Sequence, residues 1–179
     1  MQKLLDSTYS IKVQFNQRVS YPWQAKPDSS RGTFFAVRDG KFRVEYEQPT
    51  KINIISDGQR LLVYYPSENT YALEKLDPSK GGLFYALMFF SKPIRELLEP
   101  VSEIENANIT TIVLKPRDKD PVISRVSIEM QGGDIKSLKI EERSGILTTI
   151  EFLAIKRNFR PSEDLFRVMV PESAKPLLR

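Results

Sequence analysis

Gly32-Thr33-Phe34-Phe35-Ala36-Val37-Arg38-Asp39-Gly40-Lys41-Phe42-Arg43-Val44-Glu45-Tyr46 is the stretch that decides the fold. Both halves are rich in aromatic and β-branched residues, which suit a pleated, half-buried surface. Asp39-Gly40 between them supplies the positive φ of a tight hairpin turn at little cost. In the second half Phe42, Val44 and Tyr46 share one face by the two-residue period of a strand, while Lys41, Arg43 and Glu45 face away. The stretch therefore predicts antiparallel neighbours over 32–38 and 41–46, apolar on one face and charged on the other.

The same grammar extends in both directions. Downstream, Asn53-Ile54-Ile55-Ser56 runs into Asp57-Gly58 and a strand leaves it over 61–65, so a second tight hairpin is predicted; a further strand over 70–76 follows the turn at 66–69. Upstream, Ile11-Lys12-Val13-Gln14-Phe15-Asn16 alternates like a half-buried strand, after a short helical start over 2–8 and before a loop over 22–31. Strand signals resume at 109–114, 122–130, 135–142, 146–155 and 166–170. The interruption is Leu83-Phe84-Tyr85-Ala86-Leu87-Met88-Phe89-Phe90, apolar around every side of a helix, followed by Pro93 and a helical 94–98. About ten short strands with few helices predict one mainly β domain over residues 1–179, a strongly curved antiparallel sheet or open barrel with helices over one face. Such a shape encloses a concave apolar interior of the kind that holds ligands.

Composition limits the chemistry available to that interior. Hydrophobic residues make up 40% of the chain, enough to build a core and too many for a disordered segment. There is no cysteine and no histidine, which removes disulfides, thiolate chemistry, cysteine-based zinc sites and the imidazole of the usual catalytic triad. Only carboxylate, Lys or Tyr chemistry remains, and no enzymatic activity, cofactor or metal site is expected. The net charge of +4 comes from cations interspersed with carboxylates along the whole chain, so no nucleic-acid partner is expected. No stretch approaches the roughly 20 apolar residues that span a bilayer, and residues 1–15 lack the apolar segment of a signal peptide. Met1 reads equally well as a natural start and as an initiator placed where an export signal was removed.

Several residues stand out as candidates. Phe34, Ala36, Phe42, Val44, Tyr46 and Ile54 form apolar strand faces, with ordinary core packing as the plain alternative to a ligand-binding wall. On the all-apolar helix, Leu83, Leu87, Met88 and Phe90 suit a lid, with burial under a loop or against another helix as the alternative. Arg38 falls by alternation on the side of Phe34 and Ala36, where a charge needs partners; otherwise it is a surface arginine at a hairpin. The carboxylates Glu141-Glu142 and Glu103/Glu105 read as solvated strand charges.

A strand led by Gly32 and ending in Arg38, a Phe42 strand, the Gln48-Pro49 turn, the Asp57-Gly58 hairpin and Tyr64-Tyr65 before Pro66 together resemble the periplasmic outer-membrane lipoprotein carrier family, LolA. Val13-Gln14-Phe15-Asn16-Gln17 is similar to its opening strand and Phe166 to Pro171 to its closing one. The resemblance implies an incomplete, half-open antiparallel β-barrel with a helical lid over an apolar cavity. It also implies a periplasmic, monomeric carrier of acylated lipoproteins, its export signal absent from the sequence as it stands. Such a carrier takes its cargo from an inner-membrane lipoprotein-release transporter and hands it to an outer-membrane lipoprotein receptor. Arg38 is implied to latch the lid by hydrogen bonds, and Phe42, Val44 and Leu87 to contribute to the acyl site. With their face neighbours, the expected acyl-chain cavity comprises Phe34, Ala36, Phe42, Val44, Tyr46, Ile54, Leu83, Leu87, Met88 and Phe90. Two features depart from the family pattern: its usual Arg-Pro is Arg38-Asp39 here, and Val44 and Val63 stand at or near places where tryptophans are common. A lipid-binding sensor or regulatory module on the same fold, and a carboxylate-dependent hydrolase in a β-barrel scaffold, are the alternatives.

Overall fold

The computed structural model describes residues 7–76 and 94–177. Its strands, in chain order, are β1 (Ser10–Ser20), β2 (Asp28–Val37), β3 (Phe42–Gln48), β4 (Ile52–Ser56), β5 (Arg60–Tyr65), β6 (Thr70–Lys75), β7 (Leu98–Asn106), β8 (Ile109–Pro116), β9 (Ile123–Gln131), β10 (Asp134–Glu142), β11 (Leu147–Arg157) and β12 (Lys175–Pro176). One helical turn, α1 (Ile94–Leu97), precedes β7, and a 3-10 turn (Glu163–Phe166) follows β11. The strands form a single 12-stranded sheet in the order β12-β6-β5-β4-β3-β2-β1-β11-β10-β9-β8-β7. Every pairing is antiparallel except that of β12 with β6. The sheet is open, with β7 at one edge and β12 at the other.

The two Asp-Gly hairpins form as their chemistry demands. Gly40 has φ +87° and Gly58 +89°, values that cost a side chain-bearing residue dearly. Asp57 fixes the second turn, its Oδ1 accepting from the backbone N–H of Gln59 at 3.0 Å and Arg60 at 2.8 Å.

Curvature has a specific cause at Gly32. The register places Phe15, Gly32 and Tyr46 side by side on β1, β2 and β3, beside a bulge between Arg31 and Gly32. The rings of Phe15 and Tyr46 meet edge to face over the glycine, centroids 5.7 Å apart. A Cβ on Gly32 would lie 2.4 Å from the carbonyl oxygen of Glu45 and 3.0 Å from the Phe15 ring. Only glycine permits the strands and the two aromatics to close this tightly.

The two faces of the sheet are covered differently. On one, here called inner, Val13, Phe15, Phe34, Ala36, Phe42 and Ile150 form a buried cluster. Leu98, Leu114, Ile123, Val126, Ile128 and Ile140 form a second, and Leu138 packs against both. Burying each large apolar side chain contributes about 1.5–3 kcal/mol, so this face supplies much of the fold's stability. On the outer face of β1 to β6, the segment after β11 crosses the sheet: Phe159 packs edge to face on Phe35, Val168 on Ile55 and Leu62, and β12 pairs with β6. Gly32 to Ala36 are consequently buried without a break, because β2 is covered on both sides.

Several elements differ from the sequence expectations for local reasons. The predicted loop over 22–31 ends sooner: β2 begins at Asp28, because polar Asp28 to Arg31 extend the ladder to β1 without burying an apolar face. The predicted strand over 166–170 is instead the end of the 3-10 turn and an irregular run, whose alternating Val168 and Val170 make side-chain contacts rather than a ladder. The helix over 94–98 stops at Leu97, and Leu98 opens β7, which no expectation included. Thr8 is not helical, while residues 2–6 of the expected first helix and the whole Leu83 to Phe90 helix lie outside the described residues.

Candidate functional site: the apolar inner face

Cross-strand pairing sets the inner face out in rows. One row runs Ile155–Val13–Phe34–Val44–Ile54–Val63–Ala72 across β11, β1, β2, β3, β4, β5 and β6, apolar at every position. Directly opposed residues of an antiparallel pair share a face, so the assignment follows from the register. The next row, toward the β2–β3 hairpin, runs Arg157–Ile11–Ala36–Phe42–Ser56–Leu61–Glu74. In the opposite direction Phe15, Gly32 and Tyr46 form the aromatic row described above.

Of the candidate residues, Phe34, Ala36, Phe42, Val44, Tyr46 and Ile54 are thus brought together on one face and into one cluster. Leu83, Leu87, Met88 and Phe90 lie outside the described residues. The face also includes Ile150, Phe152, Ile155 and Leu138, which the sequence reading did not single out because β11 comes late in the chain and pairs with β1 across a long connection, with β10 beside it. Val44 and Val63, at or near the places where the resemblance leads one to expect tryptophan, both sit in the apolar row, which makes that wall less bulky.

Polar groups mark the rims. The Tyr46 hydroxyl donates to Oε1 of Gln17 at 3.1 Å, and burial holds its pKa above the ordinary phenol value. Arg38 is exposed beyond the end of β2; its Nε donates to the carbonyl of Thr8 at 2.8 Å and its backbone N–H to Tyr9 at 3.1 Å. It thereby ties the hairpin to the segment entering β1. At Asp57 burial opposes ionisation, but hydrogen bonds from the Arg60 and Gln59 backbone, together with the Arg60 guanidinium, outweigh it and hold the carboxyl below its usual range.

On the outer face, a cleft of about 430 Å³ lies between the crossing segment and the sheet, lined by Arg43, Asn53, Ile55, Leu62, Tyr64, Asp164, Arg167 and Met169. Arg43 there pairs with Glu45 at 2.6 Å. The inner face has apolar rows and polar ends; this cleft mixes the charged Arg43, Asp164 and Arg167 with the apolar Ile55, Leu62 and Met169. Among the described residues no helix is long and apolar enough to cross a membrane.

Residues 6–169 match the family model described as outer membrane lipoprotein carrier protein LolA. An outer-membrane lipoprotein carrier protein of Cupriavidus pinatubonensis is 27% identical over 97% of this chain and 84% of its own length. A protein of the same description from Pseudomonas entomophila is 22% identical over 96% of this chain and 83% of its own. Among solved structures, an uncharacterized conserved protein from Thermus thermophilus shares the fold with a TM-score of 0.61 at 11% identity, covering 99% of this chain and 98% of the other. A match spanning this much of the chain, on an open β-sheet with one continuous apolar face, makes this protein a member of the LolA outer membrane lipoprotein carrier family.

Proposed function

We propose that the protein is a periplasmic carrier, acting as one domain and without catalysis, that shields the acyl chains of a lipoprotein against the inner face of its sheet. The observation that carries this reading is the row Ile155–Val13–Phe34–Val44–Ile54–Val63–Ala72, an uninterrupted apolar surface running across half of the sheet. An acyl chain exposed to water is unfavourable by roughly 0.8 kcal/mol per methylene, on the order of 10 kcal/mol for a long chain. An aqueous crossing between membranes therefore needs a surface of this kind. Leu83, Leu87, Met88 and Phe90 supply the lid over it, and Arg38 latches the lid. Chains and lid compete for the same wall, so loading opens the lid without an external energy source in the carrier itself. Cargo is accepted from an inner-membrane release transporter and passed to an outer-membrane receptor.

The test is to mix purified protein with inner-membrane vesicles bearing a triacylated lipoprotein and an active release transporter. Lipoprotein recovered in the soluble fraction as a complex with this protein supports the reading; lipoprotein that stays with the vesicles contradicts it. Arg38→Leu addresses the latch: the fold should survive and cargo release to receptor-bearing vesicles should change, and an unchanged release rate removes Arg38 from that role.

A further inference from the structure

We propose that Arg157, paired with Asp134, forms a head-group subsite at the rim of the inner face, donating hydrogen bonds to the carbonyl end of a fatty-acyl ligand. The inference rests on the carrier reading and adds to it where the polar end of the ligand lies. Arg157 opposes Ile11 and so shares the inner face with Ile11, Ala36 and Phe42. Strict alternation along β11 from Ile150 and Phe152 would have put it outside; the bulge opposite Gln14 and Phe15 resets the parity and turns Ile155 and Arg157 inward. The row holding Arg157 lies immediately beyond the fully apolar row, at one end of it. The face thus passes from pure hydrocarbon to a row ended by a guanidinium, which matches an amphiphile with chains inward and a carbonyl or carboxylate at the edge.

Arg157 is about three-quarters buried while Asp134 is half exposed, and its Nη2 lies 3.0 Å from Oδ1 of Asp134. A half-exposed pair of this kind contributes only about 0–1 kcal/mol to stability, so stability alone gives little reason for an arginine here. A guanidinium has five N–H donors in a planar fork, and one carboxylate contact does not exhaust them. The partner also keeps the charge tolerable beside Ile11 when no ligand is bound.

Binding of palmitate, methyl palmitate and cetyl alcohol to the full chain, read by displacement of a neutral naphthylamine probe, tests this. Arg157→Gln should weaken palmitate roughly tenfold, the worth of one charge-assisted hydrogen bond, and leave cetyl alcohol unchanged. Asp134→Asn should tighten palmitate by removing the competing carboxylate, an effect opposite in sign to any loss of structure. Weakening of methyl palmitate by Arg157→Gln would assign the subsite to esters, and weakening of palmitate alone to free carboxylates; both support it. Equal palmitate binding by wild type and Arg157→Gln, or weaker binding by Asp134→Asn, overturns the subsite while cetyl alcohol binding leaves the carrier reading intact. Failure of wild type to bind any of the three chains overturns both.

Discussion

The two faces of β2 to β5 are made by alternate residues of the same strands, yet they have opposite fates. Outward, Phe35, Arg43, Ile55 and Leu62 meet the chain's own C-terminal segment through Phe159, the Leu165 carbonyl and Val168. Inward, Phe34, Val44, Ile54 and Val63 belong to one apolar row that runs on through β1 and β11. The outer face is specified by directional contacts to named partners, which fix a single arrangement. The inner face is held mainly by non-directional apolar packing, with its polar groups, such as Tyr46 with Gln17 and Arg157 with Asp134, toward the ends of the rows. The proposed carriage of acyl chains would draw on that contrast, with directional contacts behind the wall and non-directional packing in front of it.

The contrast breaks most severely at Gly32, where both faces depend on one backbone approach. Gly32→Val puts side-chain atoms within 2.4 Å of the Glu45 carbonyl, so β2 and β3 must part; the expected outcome is failure to fold cooperatively, seen as loss of the thermal transition. Next in size, Phe34→Ala empties a buried inner position and should cost about 3–5 kcal/mol in denaturant unfolding. Val168→Ala, the matching change on the outer side, should cost less, on the order of 1 kcal/mol, because a smaller side chain is cut back where the segment after β11 meets Ile55 and Leu62. A measured order with Val168→Ala the larger would mean that the segment after β11, rather than the inner cluster, holds the sheet together.

The smallest effects come from titration. The carboxyl of Asp57 is lowered in the folded chain, so its contribution is present above the unfolded value of about 3.9 and disappears as pH falls through the folded value. Asp57 lies in a surface turn with its side chain 23% exposed, so the acid loss is modest, and Asp57→Ala should abolish it. Tyr46 is raised, so its contribution is complete below the ordinary phenol value of about 10 and declines as pH rises through the folded value. Stability followed by denaturant titration should therefore fall at high pH in the wild type and less in Tyr46→Phe.

Much of the inner face was readable in the sequence because period-two alternation and Asp-Gly turns act locally: Phe42, Val44 and Tyr46 face together whatever the rest of the chain does. What escaped the sequence depends on pairing. β7, Leu-Glu-Pro-Val-Ser-Glu-Ile-Glu-Asn, looks too acidic for a strand, yet it is the sheet edge, where Glu side chains and Pro100 discourage pairing with another chain and, among the described residues, β8 is its one ladder partner. Arg157 escaped because a bulge, invisible in composition, reverses its direction. Val168 and Val170 alternate like a strand but find side chains rather than a ladder, since β3 to β5 already have neighbours on both edges.

Ile54 and Ile55 are adjacent in sequence and lie on opposite faces of β4, which makes them paired reporters of the central claim. Methyl NMR spectra recorded while a triacylated lipopeptide is added should show the Ile54 δ1 resonance moving and the Ile55 δ1 resonance holding its position. Movement of Ile55 with Ile54 unchanged would contradict the account, placing the ligand in the outer cleft instead of on the inner wall.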